Sequence, residues 1–257
     1  MKRTIPLFSC LLLLIALLCS CDTCSQHQDS VDKHQQKIKV VIVTGGHDFE
    51  RTPFFEMFNS FGNVRYAEAQ QTDHSEIFED TSDWDYDVIV LYNMTQNISP
   101  KRRANFTKLL DKGVGLVALH HSIANFQNWP EYRRIIGAKY YLKPTAEGGV
   151  TYPGSQYEHD VNIDVRISDL THPVTQGLSD FAINDETYNL FTVDQDNRYL
   201  LTTDHPTSNP QLAWVRNYRN ARVCYIQLGH GTGAYASTSY RRLVAQAITW
   251  CAGSSMD

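Results

Sequence analysis

From residue 38 onward, short apolar runs alternate with segments whose apolar residues recur at helical spacing. The runs at 38–44, 88–92 and 115–119 are mostly aliphatic and β-branched, which is typical of strands buried on both faces of a parallel sheet. A further strand is expected at 64–69. This alternation predicts an α/β domain whose parallel strands are joined by right-handed crossovers, with helices on both faces.

Local signals mark the ends of the intervening helices. Pro53 lies at the start of one helix, because proline is tolerated in a first turn. Ser99 is an N-cap followed by proline, and Gly113 ends that helix. A short helix is predicted at 130–137, and a closing helix begins at 237–239.

The second half of the chain is less regular. Residues 161–167 alternate between apolar and polar side chains, which predicts a strand with one wet face. Further strands are predicted at 199–203, 212–216 and 222–227, and the last two are expected to form a hairpin. The Pro- and Gly-rich segment 144–154 is predicted to be a loop over a crevice, and the polar segment 180–189 has no regular period.

The N-terminus has the features of an export signal. Lys2 and Arg3 precede an apolar run that is too short to span a bilayer comfortably. The residues before Cys21 resemble the lipobox of a bacterial lipoprotein, which predicts cleavage before Cys21 and lipid attachment to it. An ordinary secretory signal is the alternative, and both predict export.

Three regions follow from these signals. Residues 1–20 are predicted to be a lipoprotein signal peptide, the polar residues 21–37 a flexible tether, and residues 38–253 one α/β domain. The expected location is the cell envelope, on the periplasmic side or the cell surface, with the membrane contacted only through the lipid anchor. The sequence does not define an oligomeric state.

Composition narrows the functional classes. The net charge is −5 and no obvious basic cluster stands out, so a nucleic-acid partner is not expected. Of six cysteines, Cys10, Cys19 and Cys21 belong to the signal and lipid site, and the domain has no CxxC pair. The 14 tyrosines and 4 tryptophans suit a pocket for a sugar, although most aromatic residues serve the core.

Polar clusters follow apolar strands or interrupt loops at four places. They are Gly45-Gly46-His47-Asp48, His120-His121-Ser122, Asp185-Glu186 with Tyr188, and His230 between two glycines. Because parallel strands end at one edge of a sheet, these side chains are predicted to meet at the mouth of a crevice.

Acid–base chemistry is the first interpretation of these clusters. His120 and His121 are the candidate acid–base pair, and Glu186 is the carboxylate that orients them, since a nearby carboxylate raises a histidine pKa and fixes its tautomer. Ligand contacts are predicted from Gly45, Gly46, His47, Ser122, Asp185, Tyr188 and His230.

Two other chemistries involve the same segment. Histidines with a carboxylate are a common ligand set for zinc or non-haem iron, but no HExxH or HxH spacing is present. No metal ligand and no cofactor are therefore assigned, and a divalent metal stays an alternative. A serine hydrolase is disfavoured, because Ser122 lacks the flanking glycines of a nucleophile elbow.

The sequence resembles the ThuA-like (trehalose utilisation) family over nearly all of the chain after Lys37. The resemblance is carried in order by Val43-Thr44-Gly45-Gly46-His47, Gly115 to His121, Asp185-Glu186-Thr187-Tyr188, Ala221 to Tyr225, and Leu228-Gly229-His230-Gly231. It implies a variant of the class I glutamine amidotransferase fold, a flavodoxin-like three-layer α/β/α sandwich with a mostly parallel central sheet, here with an added antiparallel hairpin.

The same resemblance implies a role in carbohydrate metabolism, with a disaccharide or an oxidised (keto) sugar as the small-molecule ligand. His120 stands at the elbow position where amidotransferases carry a nucleophilic cysteine. Cysteine-dependent glutamine hydrolysis is therefore excluded. A non-catalytic sugar-binding or assembly lipoprotein and a metal-dependent hydrolase are the alternatives to acid–base catalysis.

Overall fold

The computed structural model describes residues 36–253. The strands are β1 (Ile38–Gly45), β2 (Val64–Gln70), β3 (Val88–Asn93), β4 (Gly115–Leu119), β5 (Ala138–Lys139), β6 (Thr145–Glu147), β7 (Val150–Tyr152), β8 (Gln156–Ile167), β9 (Phe181–Asn189), β10 (Thr192–Val193), β11 (Arg198–Thr202), β12 (Gln211–Tyr218) and β13 (Ala221–Ile226). The helices are α1 (Arg51–Asn59), α2 (Pro100–Asp111), α3 (Pro130–Ile136), α4 (Thr232–Ala236) and α5 (Thr238–Cys251). Short 3-10 turns occupy Glu76–Phe78, His120–Ala124 and Pro173–Thr175.

A mixed nine-stranded sheet forms the centre of the described domain, in the order β2-β1-β3-β4-β13-β12-β11-β8-β9. The first five strands are mutually parallel, and we call them the parallel half. The other four pair antiparallel, and we call β8 with β9 the β8–β9 arm. The chain therefore has an α/β fold with a large mixed sheet.

The buried core is divided between the two faces of the sheet. Along β1, Val40 and Ile42 belong to one apolar cluster, which includes side chains of α1 and α5. Val41 and Val43 belong to the other, which includes side chains of α2 and α3. This alternation follows from the two-residue repeat of a strand, and it explains why the runs are apolar throughout.

Helix signals in the sequence agree with the observed ends. The Ser99 side chain accepts a hydrogen bond from the Arg102 backbone N–H, as expected of an N-cap. Ser237 caps α5 in the same way, through the Tyr240 N–H. Gly137 ends α3 in the left-handed conformation that favours glycine.

The antiparallel part is larger than expected. The predicted hairpin is present as β12 and β13, but three more antiparallel strands follow it in the sheet. The segment 180–189, which has no regular period, is strand β9. The expected loop at 144–154 contains a small hairpin, β6 with β7. Both segments form strands through backbone hydrogen bonds to a neighbouring strand. Because their side chains do not alternate between apolar and polar, the sequence pattern does not reveal them.

The predicted signal peptide, Cys21 and residues 21–35 of the predicted tether lie outside the described residues. Within residues 36–253, no helix combines the length and the apolar character that a membrane crossing needs.

Candidate functional site

Three neighbouring strands of the parallel half end in the residues singled out above. Gly45, at the end of β1, leads to Gly46 and His47, β4 leads to His120 and His121, and the loop after β13 carries His230. The strands that carry them are adjacent or separated only by β3, so their carboxyl ends lie at one edge of the sheet. This is the edge where ligands bind in open α/β sheets.

Two glycines after β1 let the chain turn closely against its neighbours. Gly45 and Gly46 have φ values of 121° and 74°, in the region that favours glycine. A Cβ at Gly46 would collide with the backbone of Met94, and one at Gly45 with the backbone of Gln71. These glycines hold His47 at the sheet edge.

His120 occupies a strained turn directly after β4. Its φ is 50°, which is uncommon for a residue other than glycine. The turn is fixed by the Tyr225 hydroxyl, which donates to the His120 carbonyl at 3.0 Å. The ring Nδ1 lies 2.7 Å from the Gln227 carbonyl oxygen. Since a carbonyl only accepts, Nδ1 carries the proton and Nε2 faces the site.

Three histidines surround the Glu186 carboxylate. His120 Nε2 lies 2.9 Å and His230 Nδ1 lies 3.2 Å from Glu186 Oε2. His159 Nδ1 lies 3.3 Å from the other oxygen, Oε1. The Tyr188 hydroxyl lies 2.9 Å from His120 Nε2. The histidines that face Glu186 thus come from three separate parts of the chain.

A β-bulge in the β8–β9 arm sets which residues face Glu186. Glu158 pairs with Thr187, but Val161 pairs with Asp185, so β8 has one residue more than β9 in this interval. The extra residue reverses the alternation of β8 beyond Val161. It places Tyr157 opposite Tyr188, on the face of β9 that carries Glu186.

Asp185 holds the loop after β13 in place. Its Oδ2 accepts from the Gly229 N–H at 2.7 Å, and its Oδ1 accepts from the His230 N–H at 2.8 Å and the Glu186 N–H at 2.9 Å. Burial raises the pKa of Asp185 from its usual value. The side chain predicted to contact a ligand is thus engaged with three backbone donors.

His121 lies against His47 in the wall of the site. Their rings stack with centroids 4.3 Å apart and planes 20° apart. Neither ring nitrogen of His121 has a hydrogen-bond partner of regular geometry among the described residues, although the side chain is buried; only a weaker contact with the Tyr92 backbone acts on the ring. Burial lowers the pKa of His121 well below its usual value, so the ring is neutral at pH 7.

His47 is neutral for a related reason. Burial lowers the pKa of His47, against the opposing effect of the Asp48 carbonyl. Its Nδ1 lies 2.7 Å from that carbonyl oxygen and therefore carries the proton. The Nε2 of the neutral ring is thus unprotonated.

Glu186 and His230 have the opposite electrostatics. Burial opposes the charge on Glu186, but His120 and His230 together lower the pKa of the carboxyl below its usual value. The hydrogen bond with Glu186 in turn raises the pKa of His230. The site therefore contains neutral histidines on one side and a charged carboxylate–histidine group on the other.

A cavity of about 200 Å³ opens beside this group. It is lined by His47, Met94, His121, Ile123, Ala124, Tyr140, Leu142, Tyr157, His159, Glu186 and Tyr188. Its volume is below the roughly 300–1,000 Å³ of pockets for drug-sized ligands, which suits a ligand as small as one sugar ring.

Two larger hollows lie nearby. One, of about 410 Å³, is lined by Gly45, Gly46 and Arg51 among others and shares His47 with the cavity. The other, of about 370 Å³, lies by α3, where Arg133 pairs with Asp194. Neither combines several histidines with a carboxylate, as the group around Glu186 does, so we place the site at the smaller cavity.

Of the predicted residues, His47, His121, Glu186 and Tyr188 line the cavity. His120 and His230 contact Glu186 without lining the cavity, and Gly45 and Gly46 line the neighbouring hollow. Ser122 is fully buried and does not line the cavity, and Asp185 faces backbone donors. Cys224 and Cys251 are buried in β13 and α5, where burial raises the pKa of both thiols. His74 and Glu76 have the His-x-Glu spacing of the amidotransferase triad. They come before the elbow residue His120 in the chain, however, and Glu76 accepts a hydrogen bond from the Thr72 backbone N–H.

Tyr140, Tyr157 and Met94 line the cavity and His159 contacts Glu186, although none of the four was predicted above to belong to the site. Tyr140 and Met94 follow no motif, and both lie in irregular chain between elements. Tyr157 and His159 belong to the bulged end of β8. For Tyr157 and His159, the only indication in the sequence is that they lie directly before the apolar–polar alternation of residues 161–167.

Buried tyrosines support the loop after β13 from below. The Tyr92 hydroxyl donates to the Gly229 carbonyl at 2.7 Å and lies 2.6 Å from the Tyr235 hydroxyl. Tyr235 donates to the His230 carbonyl at 3.2 Å. Together with Asp185, these hydroxyls fix His230 on both sides.

Solved structures share this architecture. A ThuA-like protein from Parabacteroides merdae ATCC 43184 has a TM-score of 0.72 at 21% identity, over 86% of this chain and 92% of that one. One from Bacteroides uniformis ATCC 8492 has a TM-score of 0.60 at 20% identity, over 85% and 92%. A cytoplasmic protein from Salmonella typhimurium has a TM-score of 0.56 at 14% identity, over 83% and 99%.

At these identities the likeness establishes the fold alone. No curated protein matches the sequence. The model of the ThuA family, described as trehalose utilisation, matches residues 39–251. This match covers the sheet, the β8–β9 arm and all the residues around Glu186, and the chain therefore belongs to the ThuA (trehalose utilisation) family.

Proposed function

We propose that the protein binds and transforms a carbohydrate in the cavity beside Glu186 by proton transfer through histidines. The family description points to sugar metabolism. A disaccharide or keto-sugar is the proposed ligand class, with one ring in the 200 Å³ cavity.

The observation that carries the proposal is the state of His121. A buried polar group without a partner costs on the order of 1–3 kcal/mol, so its retention calls for a partner that arrives during function. Neither His121 nitrogen has a hydrogen-bond partner of regular geometry among the described residues, and the ring lines the cavity. A neutral imidazole in this position accepts a proton from a sugar hydroxyl or a carbon next to a carbonyl.

His120 is the complementary acid in this proposal. Its Nε2 lies 2.9 Å from Glu186 Oε2, so a proton on that nitrogen is within hydrogen-bond reach of the carboxylate. Tyr188, whose hydroxyl is near the same nitrogen, and His47 and His230 contact the ligand.

Turnover of a panel of disaccharides and keto-sugars tests this role. We expect His121→Asn to lower kcat by about 100-fold or more and to leave KM within about threefold, because proton transfer is lost while the cavity is kept. The exposed His74→Asn is the matched control. His47→Asn, in an exposed loop, tests the same proposal if the His121 variant does not fold.

The alternative is a non-catalytic sugar-binding lipoprotein. It is favoured by one feature, the histidine at the elbow position where related folds carry a nucleophile. Binding of a sugar to the unaltered protein without any turnover would establish this alternative. Absence of both binding and turnover across the panel would overturn the carbohydrate proposal.

The proposed location is the cell envelope, through a lipid on Cys21. We expect Cys21→Ser to move the protein from the membrane fraction to the soluble fraction, whereas Cys24→Ser leaves it in place. Equal distribution of both variants would contradict the anchor.

A further inference from the structure

Three donor atoms in the site form a nearly equilateral triangle. His120 Nε2 and Glu186 Oε2 are 2.9 Å apart, Glu186 Oε2 and His230 Nδ1 are 3.2 Å apart, and the two nitrogens are 3.2 Å apart. Ligands bound to one ion at 2.0–2.2 Å in tetrahedral or octahedral geometry lie roughly 3.0–3.4 Å from each other. The triangle has the size of one face of such a polyhedron.

The tautomer of His120 adds an independent argument. The Gln227 carbonyl holds the proton on Nδ1, so Nε2 of the neutral ring presents a lone pair to the Glu186 carboxylate. Both atoms can therefore act as ligands to one cation. A backbone carbonyl on the far nitrogen is also the usual support of a metal-bound histidine.

Hydrogen bonds within the protein hold the other two proposed ligands, Glu186 and His230, in position. Asp185 holds the His230 backbone N–H, and its neighbour Glu186 follows it directly on β9. Tyr235 donates to the His230 carbonyl from the other side. The three donors therefore occupy fixed positions supplied by separate elements, as a binding site for an ion needs.

We infer that His120, Glu186 and His230 bind one divalent transition-metal ion. Two imidazoles and a carboxylate suit zinc, cobalt or manganese, whereas magnesium and calcium favour sets made of oxygen atoms. Three protein ligands leave coordination positions open, and Glu186 is shared with the cavity wall. A hydroxyl or carbonyl oxygen of a sugar is the expected additional ligand.

This inference deepens the proposed function and rests on it only for the identity of that additional ligand. His120 becomes an ion ligand, and proton transfer passes to His121 and His47, which lie outside the triangle. Glu186 would then bring the ion to the cavity that the stacked His47 and His121 also line.

Metal titration of the full-length protein tests the inference. After treatment with a chelator, the protein is titrated with Co²⁺, followed by visible absorption, and with Zn²⁺, followed by calorimetry. We expect one equivalent of either ion to bind, and Mg²⁺ in excess not to compete. Glu186→Gln and His230→Gln should each weaken binding by about 100-fold or more, since losing a ligand exceeds the 10–100-fold cost of losing its supporting group.

Glu158→Gln and His74→Gln are matched controls, because both side chains are exposed and neither belongs to the triangle. Their affinity should equal that of the unaltered protein. The half-exposed His230 gives an independent variant if Glu186→Gln does not fold.

The outcomes separate the two proposals. The metal site is overturned if the unaltered protein binds neither Co²⁺ nor Zn²⁺. It is also overturned if Glu186→Gln and His230→Gln bind the ion as tightly as the unaltered protein does. In both cases sugar turnover remains a separate question. Binding of one ion that depends on the triangle, without binding or turnover of any sugar, supports the metal site and overturns the carbohydrate proposal.

Discussion

The two parts of the sheet contribute differently to the site. The parallel half supplies histidines from the ends of its strands, His47, His120, His121 and His230. The β8–β9 arm supplies Glu186, Tyr188, Tyr157 and His159. Strand ends in the parallel half are fixed by a core on both faces, whereas the arm joins the sheet at Arg166 and Ile167 alone. The parallel half therefore supplies most of the histidines, and the arm supplies the carboxylate that they face.

The connection at the root of the arm explains how an edge element is held. The turn between β8 and β9 docks on α5, where the Gln246 amide donates to the carbonyls of Pro173 and Val174. Near the site, Asp185 binds the loop after β13. The arm is therefore attached at both ends, and the following predictions test each attachment.

The largest effect is expected inside the parallel half. Leu119, fully buried at the end of β4, precedes His120. We expect Leu119→Ala to lower the free energy of unfolding by about 2–5 kcal/mol, because the cavity it leaves cannot collapse fully. Urea unfolding measures this loss, and Leu170→Ala, at an exposed leucine, should change it by less than about 0.5 kcal/mol. Equal effects of the two substitutions would contradict a rigid parallel half.

The next effect concerns the link between the two parts. Asp185→Asn replaces one acceptor oxygen by a donor that faces backbone N–H groups. We expect a loss of about 2–3 kcal/mol in the free energy of unfolding. Asp164→Asn, on an exposed position of the same arm, is the control. If both variants unfold at the same urea concentration, Asp185 does not hold the loop.

A pH-dependent effect is expected at the root of the arm. Burial, with a smaller contribution from Arg198, lowers the pKa of His172 to about 4. In the unfolded chain the pKa is near 6.5, so between these values the unfolded state binds the extra proton and stability falls as pH decreases. Protonation also removes the acceptor that binds the Val174 N–H.

We expect this histidine to account for a loss of about 1–3 kcal/mol between pH 7 and pH 4. His172→Asn keeps a capping acceptor without titrating. The measurement is urea unfolding of both proteins at pH 7, 5.5 and 4. Parallel stability curves for the two proteins would refute the assignment.

The smallest effect is expected at the exposed end of the arm. Tyr157 is 60% exposed and lines the cavity. Its ring offers a face on which a sugar can stack, so Tyr157→Ala should raise KM by about 3–10-fold, or roughly 1 kcal/mol, with little change in kcat. Tyr157→Phe should retain the original KM. A Phe variant as weak as the Ala variant would assign the contact to the hydroxyl.

The same contrast explains what the sequence could predict. In the parallel half, runs such as 115–119 identify a buried strand, and topology then brings their polar ends together. The positions of His120 and His121 at a shared edge follow from these rules alone. The family resemblance is also confirmed, by the match over residues 39–251.

The arm could not be derived in this way. The polar residues Asp185 and Glu186 interrupt the alternation of β9 because each faces a polar partner. In β8 the bulge before Val161 reverses which side chains face the site, and a one-residue shift leaves no trace in a hydrophobic pattern. Only the paired backbone shows where Tyr157 and His159 point.

The column of Tyr92 and Tyr235 hydroxyls has a consequence for ligand entry. These hydrogen bonds restrain the loop that carries His230, so we do not expect this loop to open or close over the cavity. Three exposed groups, Leu142, Tyr157 and His159, line the cavity, and the His159 ring lies 4.6 Å from the His230 ring. Tyr157 and His159 both belong to β8, so we expect the proposed ligand to meet an aromatic ring and an imidazole of the arm as it enters the cavity.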